Sequence, residues 1–267
     1  MKEASAGSTT TQRGPESEVP KGSQTLIRGL SLIEAVADGV ADLASLVRVT
    51  GLTRSTAHRL LSALAATGYL RYQPSDGYSL GSKLIQLGFK AHADLHLPKV
   101  ARPHLEALSR KCHDTVHLAV LVEDQIAYVD RVAGQRGLQM AAQIGSRLPV
   151  QTTALGKALL ADVADADLAA YFRPGMKRTE HSVATIEAFR LEVEKVRKLG
   201  YSTDLEEYEI GIRCVAAPIR DGGDQIIAAL SVSSALPFMD EARMTRLACD
   251  VMATAEEISR ELGWIPS

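Results

Sequence analysis

The chain has 267 residues, enough for one large domain or two modest ones with a proper core. Its 30 Lys and Arg stand against 32 Asp and Glu, so it is no polycation, and any contact with nucleic acid must rest on a local basic surface. Cys112, Cys214 and Cys249 are widely spaced without a CxxC and read as free thiols of a reducing compartment. No apolar run nears the ~18–20 residues that span a bilayer, and no apolar signal core opens the chain. A cytoplasmic protein with no membrane partner is expected.

In chain order, residues 1–23 are rich in Ser, Thr, Gly, Pro and mixed charge and offer almost nothing to bury, which predicts a disordered tail. From Gln24, Leu26, Leu30, Ile33 and Val36 recur at helical spacing until Asp38-Gly39. A second helix is expected over Ala41 to Val49, with Leu43, Leu46 and Val47 inward and Gly51 as its end. The stretch LTRSTAHRLLSALAATGYL then predicts a third helix capped by Thr53, whose hydroxyl can accept from a free first-turn amide. Ala57, Leu60, Leu61 and Leu64 fall on its inner face; Ser55, Arg59 and Ser62 fall on the outer, flanked by Arg54 and His58. YLRYQPSDGYSL reads as a β-hairpin turning at Pro-Ser-Asp-Gly. Three helices and a hairpin over 24–80 form a winged helix-turn-helix.

A linker helix is expected over 81–97, with Pro98 near its break. Beyond it, 98–267 alternates helix and strand. ARPHLEALSRKC, TTALGKALLADV, EAFRLEVEKVRKLG and the closing DEARMTRLACDVMATAEEISREL read as helices. VHLAVLVEDQIAYVDRVAG reads as two strands meeting near Glu123-Asp124, LQMAA as a third, and GIRCVAAPIRDGGDQIIAALSVSSA as a hairpin. The fold class expected is α+β in two domains, the second built on one antiparallel sheet with helices around it.

The outer face of the third helix suits a major groove: Ser55 and Thr56 can meet phosphates or bases, and Arg54, His58 and Arg59 can reach base edges. Between residues 24 and 90, Arg28, Arg48, Arg54, Arg59, Arg71, Lys83 and Lys90 outnumber Glu34, Asp38, Asp42 and Asp76, so the local sign is positive. Arg71 and Tyr78 on the hairpin can reach a phosphate or the minor groove, though Tyr78 can equally be a packing residue. The competing reading is a protein-interaction module whose polar face is merely solvated. In the second domain, strand alternation puts Ser231 and Ser233 on one face with Ile227 and Ala229, and Cys214 with Ala216. The free amides opening TTALGKALL favour an anion. Together these features describe a pocket for a small carboxylate.

The residues from about Gln24 onward resemble the IclR family of bacterial transcriptional regulators. The match lies in LTRSTAHRLLSALAATGYL and YSLGSKLIQLG in the first half, and in TALGKALLA, GYSTDLEEYEIGIRCVAAPI and ALSVSS in the second. The resemblance implies a GAF-like effector domain, a dimer or tetramer on pseudo-palindromic double-stranded DNA, and control by a small metabolite, with no metal or other cofactor. It implies effector contacts at the backbone of Ala154 and Leu155 and at Asp204, Cys214, Ser231 and Ser233. Asp204 enters by resemblance alone. MKRTEHSVAT and DLEEYEIGIRC are most similar to regulators of sugar-acid catabolism that respond to 2-keto-3-deoxygluconate and related aldonates.

Three rival readings remain. An enzyme finds no support: GxSxG, HExxH, a P-loop and a GxGxxG after a strand are all missing, and Asp204, Glu206, Glu207 and Cys214 have no histidine nearby in sequence. A metal sensor would use Cys112, His113 and His117. A redox switch would use Cys214, where Arg213 favours a thiolate and the apolar VAAPI opposes it.

Overall fold

The computed structural model describes residues 22–94, 96–136 and 143–266. The tail up to residue 21 and the whole of the LQMAA segment, expected as a strand, lie outside them. The chain divides after Asp94 into two compact units, each with its own core.

The N-terminal unit holds helices α1 (Gln24–Ala37), α2 (Leu43–Thr50) and α3 (Arg54–Ala66), the antiparallel strands β1 (Leu70–Gln73) and β2 (Gly77–Leu80), and helix α4 (Ser82–Asp94). Asp42 caps α2 by accepting from the Ser45 amide at 2.9 Å. Gly77 is fixed by geometry: its φ is +78°, and a Cβ there would lie 2.4 Å from the Ala41 carbonyl oxygen. That carbonyl accepts from the Tyr78 amide at 2.8 Å, which ties the wing to the start of α2.

The core of this unit is Leu32, Ala35, Val36, Leu46, Leu61 and Leu70. Of the helical stripe expected on α1, Ile33 and Val36 pack on this core. Leu26 and Leu30 are exposed, and Leu32 and Ala35 take the inner face of α1. The helix carries apolar residues on two adjoining faces, so spacing alone cannot choose between them.

The second unit opens with α5 (Leu97–Cys112), which begins at Pro98 in its first turn. Among the described residues six antiparallel strands follow: β3 (Thr115–Val122), β4 (Gln125–Val132), β5 (Arg147–Pro149), β6 (Ser202–Leu205), β7 (Ile212–Arg220) and β8 (Ile226–Ala235), in spatial order β5-β4-β3-β8-β7-β6. Helices α6 (Ala154–Leu159) and α7 (Ile186–Leu199) lie between β5 and β6 in the chain, and α8 (Glu241–Glu261) closes it. One sheet face packs Leu118, Val215 and Leu230 against Leu105 of α5 and Leu247, Val251 and Ile258 of α8. The other packs Ala119, Ala216 and Ala229 against Leu155 of α6 and Phe189 and Val193 of α7. The α+β architecture matches expectation, while β5 and β6 were not anticipated and α6 is shorter than its sequence suggested.

Strand β8 holds a second correction. The register steps from Ile219 opposite Ala228 to Arg220 opposite Ile226, skipping Ile227. This bulge puts Ile226 with Ala229 and turns Ile227 to the opposite face, away from Ser231 and Ser233. Among the described residues no helix is long and apolar enough to cross a membrane.

Candidate DNA-reading face and ligand cavity

Helix α3 begins as its sequence requires. Thr53 Oγ1 accepts from the Thr56 amide at 3.3 Å and donates to Thr56 Oγ1 at 2.9 Å. Both hydroxyls are therefore engaged in the cap, and Ser55, 3.3 Å from Thr53 Oγ1, extends the same chain. Arg54, His58 and Arg59 are exposed while Ala57 and Leu61 are fully buried, so the helix has one face for the core and one for solvent. No carboxylate lies within ion-pair distance of Arg54 or Arg59 among the described residues, nor of Arg28 on α1 or Arg71 on β1. These four positive charges stay available to an external anion. Tyr78 is placed differently: its ring is partly buried against the core and lies 4.9 Å from that of Tyr72, so its first task is packing.

In the second unit the register builds the cavity floor. Asp204 lies opposite Cys214, Cys214 opposite Ser233, and Ser233 opposite Thr115, giving a polar row across four strands. Ser231, opposite His117 and Ala216, stands in the next row on the same face. Above them is a cavity of about 350 Å³, including its open mouth. Ala154, Leu155, Asp204, Cys214, Ser231 and Ser233 all line it, so the structure gathers the six positions from α6, β6, β7 and β8. Tyr128, Thr153 and Tyr208 also line it, and sequence reasoning missed them. Inward alternation of Ile126 and Tyr128 along β4 was a signal available for the first.

At the start of α6, Thr153 Oγ1 accepts from the Gly156 amide at 3.0 Å. Of the first-turn amides expected to be free, that of Gly156 is thus engaged, while those of Ala154 and Leu155 have no acceptor among the described residues. Gly156 is required where it stands, since a Cβ would lie 2.1 Å from the Val150 carbonyl oxygen.

Asp204 is almost fully buried and accepts from the Glu207 amide at 2.7 Å. Burial, then the charge of Glu207, pushes its carboxyl up to about 7, against the pull of Lys157. Lys157 is wholly buried, 2.5 Å from Glu207 and 3.8 Å from Glu192. Cys214 donates to Ser233 Oγ at 3.1 Å, and burial raises its thiol well above the ordinary range. A neutral buried thiol is a poor nucleophile, so nothing here favours the redox reading.

The metal reading loses its geometry as well. Cys112 packs on the α5–α8 face of the sheet, His117 is buried on the other, and His113 is an exposed helix cap at φ 64°. The three do not converge, and among the described residues no three His, Cys, Asp or Glu side chains are placed to hold a metal ion.

Comparison with known proteins agrees with both halves. Residues 25–74 match the IclR helix-turn-helix domain, and residues 89–260 match the bacterial transcriptional regulator IclR C-terminal family. The chain is 31% identical over 266 residues to the DNA-binding transcriptional repressor YiaJ of Escherichia coli K12, covering 97% of this chain and 94% of that one. It is 31% identical over 253 residues to the regulator KdgR of the same organism, covering 92% and 95%. The crystal structure of the Agobacterium tumefaciens repressor BlcR shares the fold, with a TM-score of 0.81 at 24% identity over 92% of this chain and all of that one.

Proposed function

The chain belongs to the IclR family of bacterial transcriptional regulators, and we propose that it represses a catabolic operon until a small carboxylate, foremost a sugar acid, fills the cavity floored by Asp204 and Ser231. Its matched families and named relatives are transcriptional regulators, not enzymes. The observation that carries the effector reading is the convergence of six residues from four elements on one cavity. The amides of Ala154 and Leu155 supply donors for a carboxylate; Asp204, Ser231 and Ser233 supply partners for hydroxyls. Repression is favoured by the named activity of YiaJ.

In this reading α3 enters the major groove, with Arg54, Ser55, His58 and Arg59 toward base edges and Thr53, Thr56, Arg28 and Arg71 toward the backbone. Tyr78 supports the wing. Two copies related by a two-fold axis read a pseudo-palindromic operator in the cytoplasm, as a homodimer or a pair of homodimers. The effector binds two states of the regulator unequally and so shifts the population between them, with α4 as the connection.

A thermal-shift screen of sugar acids, aromatic acids and short keto acids tests the proposal, since a ligand that binds only the native state raises the melting temperature. The expected hits are sugar acids, and Asp204→Ala or Ser231→Ala removes the shift. A full shift in both variants would show the cavity to be the wrong site.

A further inference from the structure

Beside the cavity floor, two buried side-chain nitrogens have no hydrogen-bond partner among the described residues: His117 Nε2 and Arg131 Nε. The two residues stand directly opposite each other on β3 and β4, and His117 is opposite Ser231 on β8. Residues so paired project from one face with Cβ atoms ~4.5–5.5 Å apart. That face is the cavity's. Tyr128 joins the two places: its ring lines the cavity and lies 4.9 Å from the His117 ring.

The hydrogen-bond chain is compatible with a donor at His117 Nε2. The Cys214 thiol donates to Ser233 Oγ, so the single Ser233 proton is free for His117 Nδ1 at 3.4 Å. Burial and the neighbouring Arg131 charge hold the imidazole neutral, its pKa pushed down to about 3. With Ser233 donating to Nδ1 the ring proton sits on Nε2, and both orphans are then N–H donors. Arg131 has no carboxylate within ion-pair distance among the described residues; the adjacent Asp130 pairs with Arg102 at 2.8 Å. Two buried donors left empty are costly, and an apolar pair would serve packing better. Among the described residues the cavity itself is lined by Asp204 and Glu209 and by no Lys or Arg, His117 and Arg131 standing next to its lining rather than in it.

From this juxtaposition we propose that His117 and Arg131 bind a second acidic group, so that the effector is a small diacid with one carboxylate on the Ala154 and Leu155 amides and the other on this donor pair. The inference rests on the cavity being the effector site and deepens it by naming the class. Hydroxyls between the two acid groups would meet Asp204 and Ser231, which makes a sugar diacid the fitting member.

Calorimetric titration with matched pairs, glucarate with gluconate and 2-oxoglutarate with 2-oxovalerate, tests it, because each pair differs at one end alone. The wild-type chain should bind at least one diacid tenfold or more tighter than its monoacid. Arg131→Met and His117→Phe should erase that preference while leaving monoacid binding within about twofold. They should also leave the melting temperature of the ligand-free protein unchanged or raised; a drop would show the pair to be structural and overturn the proposal. A diacid preference that survives both variants, or a wild-type preference for the monoacids or for another monoacid of the screen, overturns it while keeping the cavity as the site. If no acid binds, or if Asp204→Ala binds as well as wild type, the cavity reading fails and takes this inference with it.

Discussion

On α3, Arg54, Ser55, His58 and Arg59 lie on the solvent side of a helix whose inner face is Ala57 and Leu61. On the sheet, Asp204, Cys214, Ser231 and Ser233 are all nine-tenths or more buried. In the first region polarity is stored outside the core, where truncation of a side chain costs folding little and leaves its effect in binding. In the second region the same kinds of group sit in low dielectric, so each is tied to the stability of the unit. A change on the outer face of α3 should thus leave stability nearly untouched, whereas a change among the buried polar groups of the cavity moves stability up or down as well as binding.

The largest test of that contrast lies at Lys157. Replacing it with Met leaves Glu207 as an uncompensated buried charge and should destabilise the chain by ~3–5 kcal/mol, measured by urea denaturation. Adding Glu207→Gln should return much of the loss. A Lys157→Met variant as stable as wild type would break the comparison.

Asp204 gives the next effect. Its carboxyl is raised from 3.8 to about 7 in the folded chain, so the native state binds the proton more tightly than the unfolded state. The associated stability is fully present below about pH 4 and is lost as pH rises through 7. Asp204→Asn should therefore be more stable than wild type at pH 8 by ~2–4 kcal/mol, with the gain vanishing near pH 4. Melting curves across that range check the sign.

Smaller effects belong to the reading face. Arg59→Ala should weaken operator binding by about 1–3 kcal/mol and relax specificity at one base, with an unchanged melting temperature. Arg28→Ala or Arg71→Ala should weaken binding to all sequences alike and lower the salt dependence by about one unit of slope. Thr53→Ala, losing the cap of α3, should cost ~1 kcal/mol of stability.

The same contrast decides what could be read from residue order. The reading face lies on one helix, so Thr53, the Ala57–Leu61 stripe and the outer arginines follow from a single 3.6-residue period. The hairpins around Asp76-Gly77 and Asp221 to Asp224 carry local turn chemistry and were equally legible. Alternation also placed Cys214 with Ala216 and Ser231 with Ser233. It failed at Ile227, because a bulge is set by the partner strand and leaves no local mark. Asp204 came only from resemblance: its strand has four residues, and its place opposite Cys214 is a long-range pairing. The buried Lys157 was read as part of a helix and nothing more, since its partner Glu207 lies fifty residues away. On α1 the period was right and Ile33 and Val36 do pack on the core, but Leu26 and Leu30 stay exposed while Leu32 and Ala35 are buried, a choice made by packing against α2 and α3.

The central claim is that filling the sheet cavity controls what α3 does on DNA. Its most direct test is operator affinity of the full chain, on duplex selected in vitro from random sequence, with and without the acid found by thermal shift. The account predicts that the acid changes wild-type affinity tenfold or more, while Ser231→Ala holds the same operator equally well and ignores the acid. An undiminished response in Ser231→Ala and Asp204→Ala alike would contradict it.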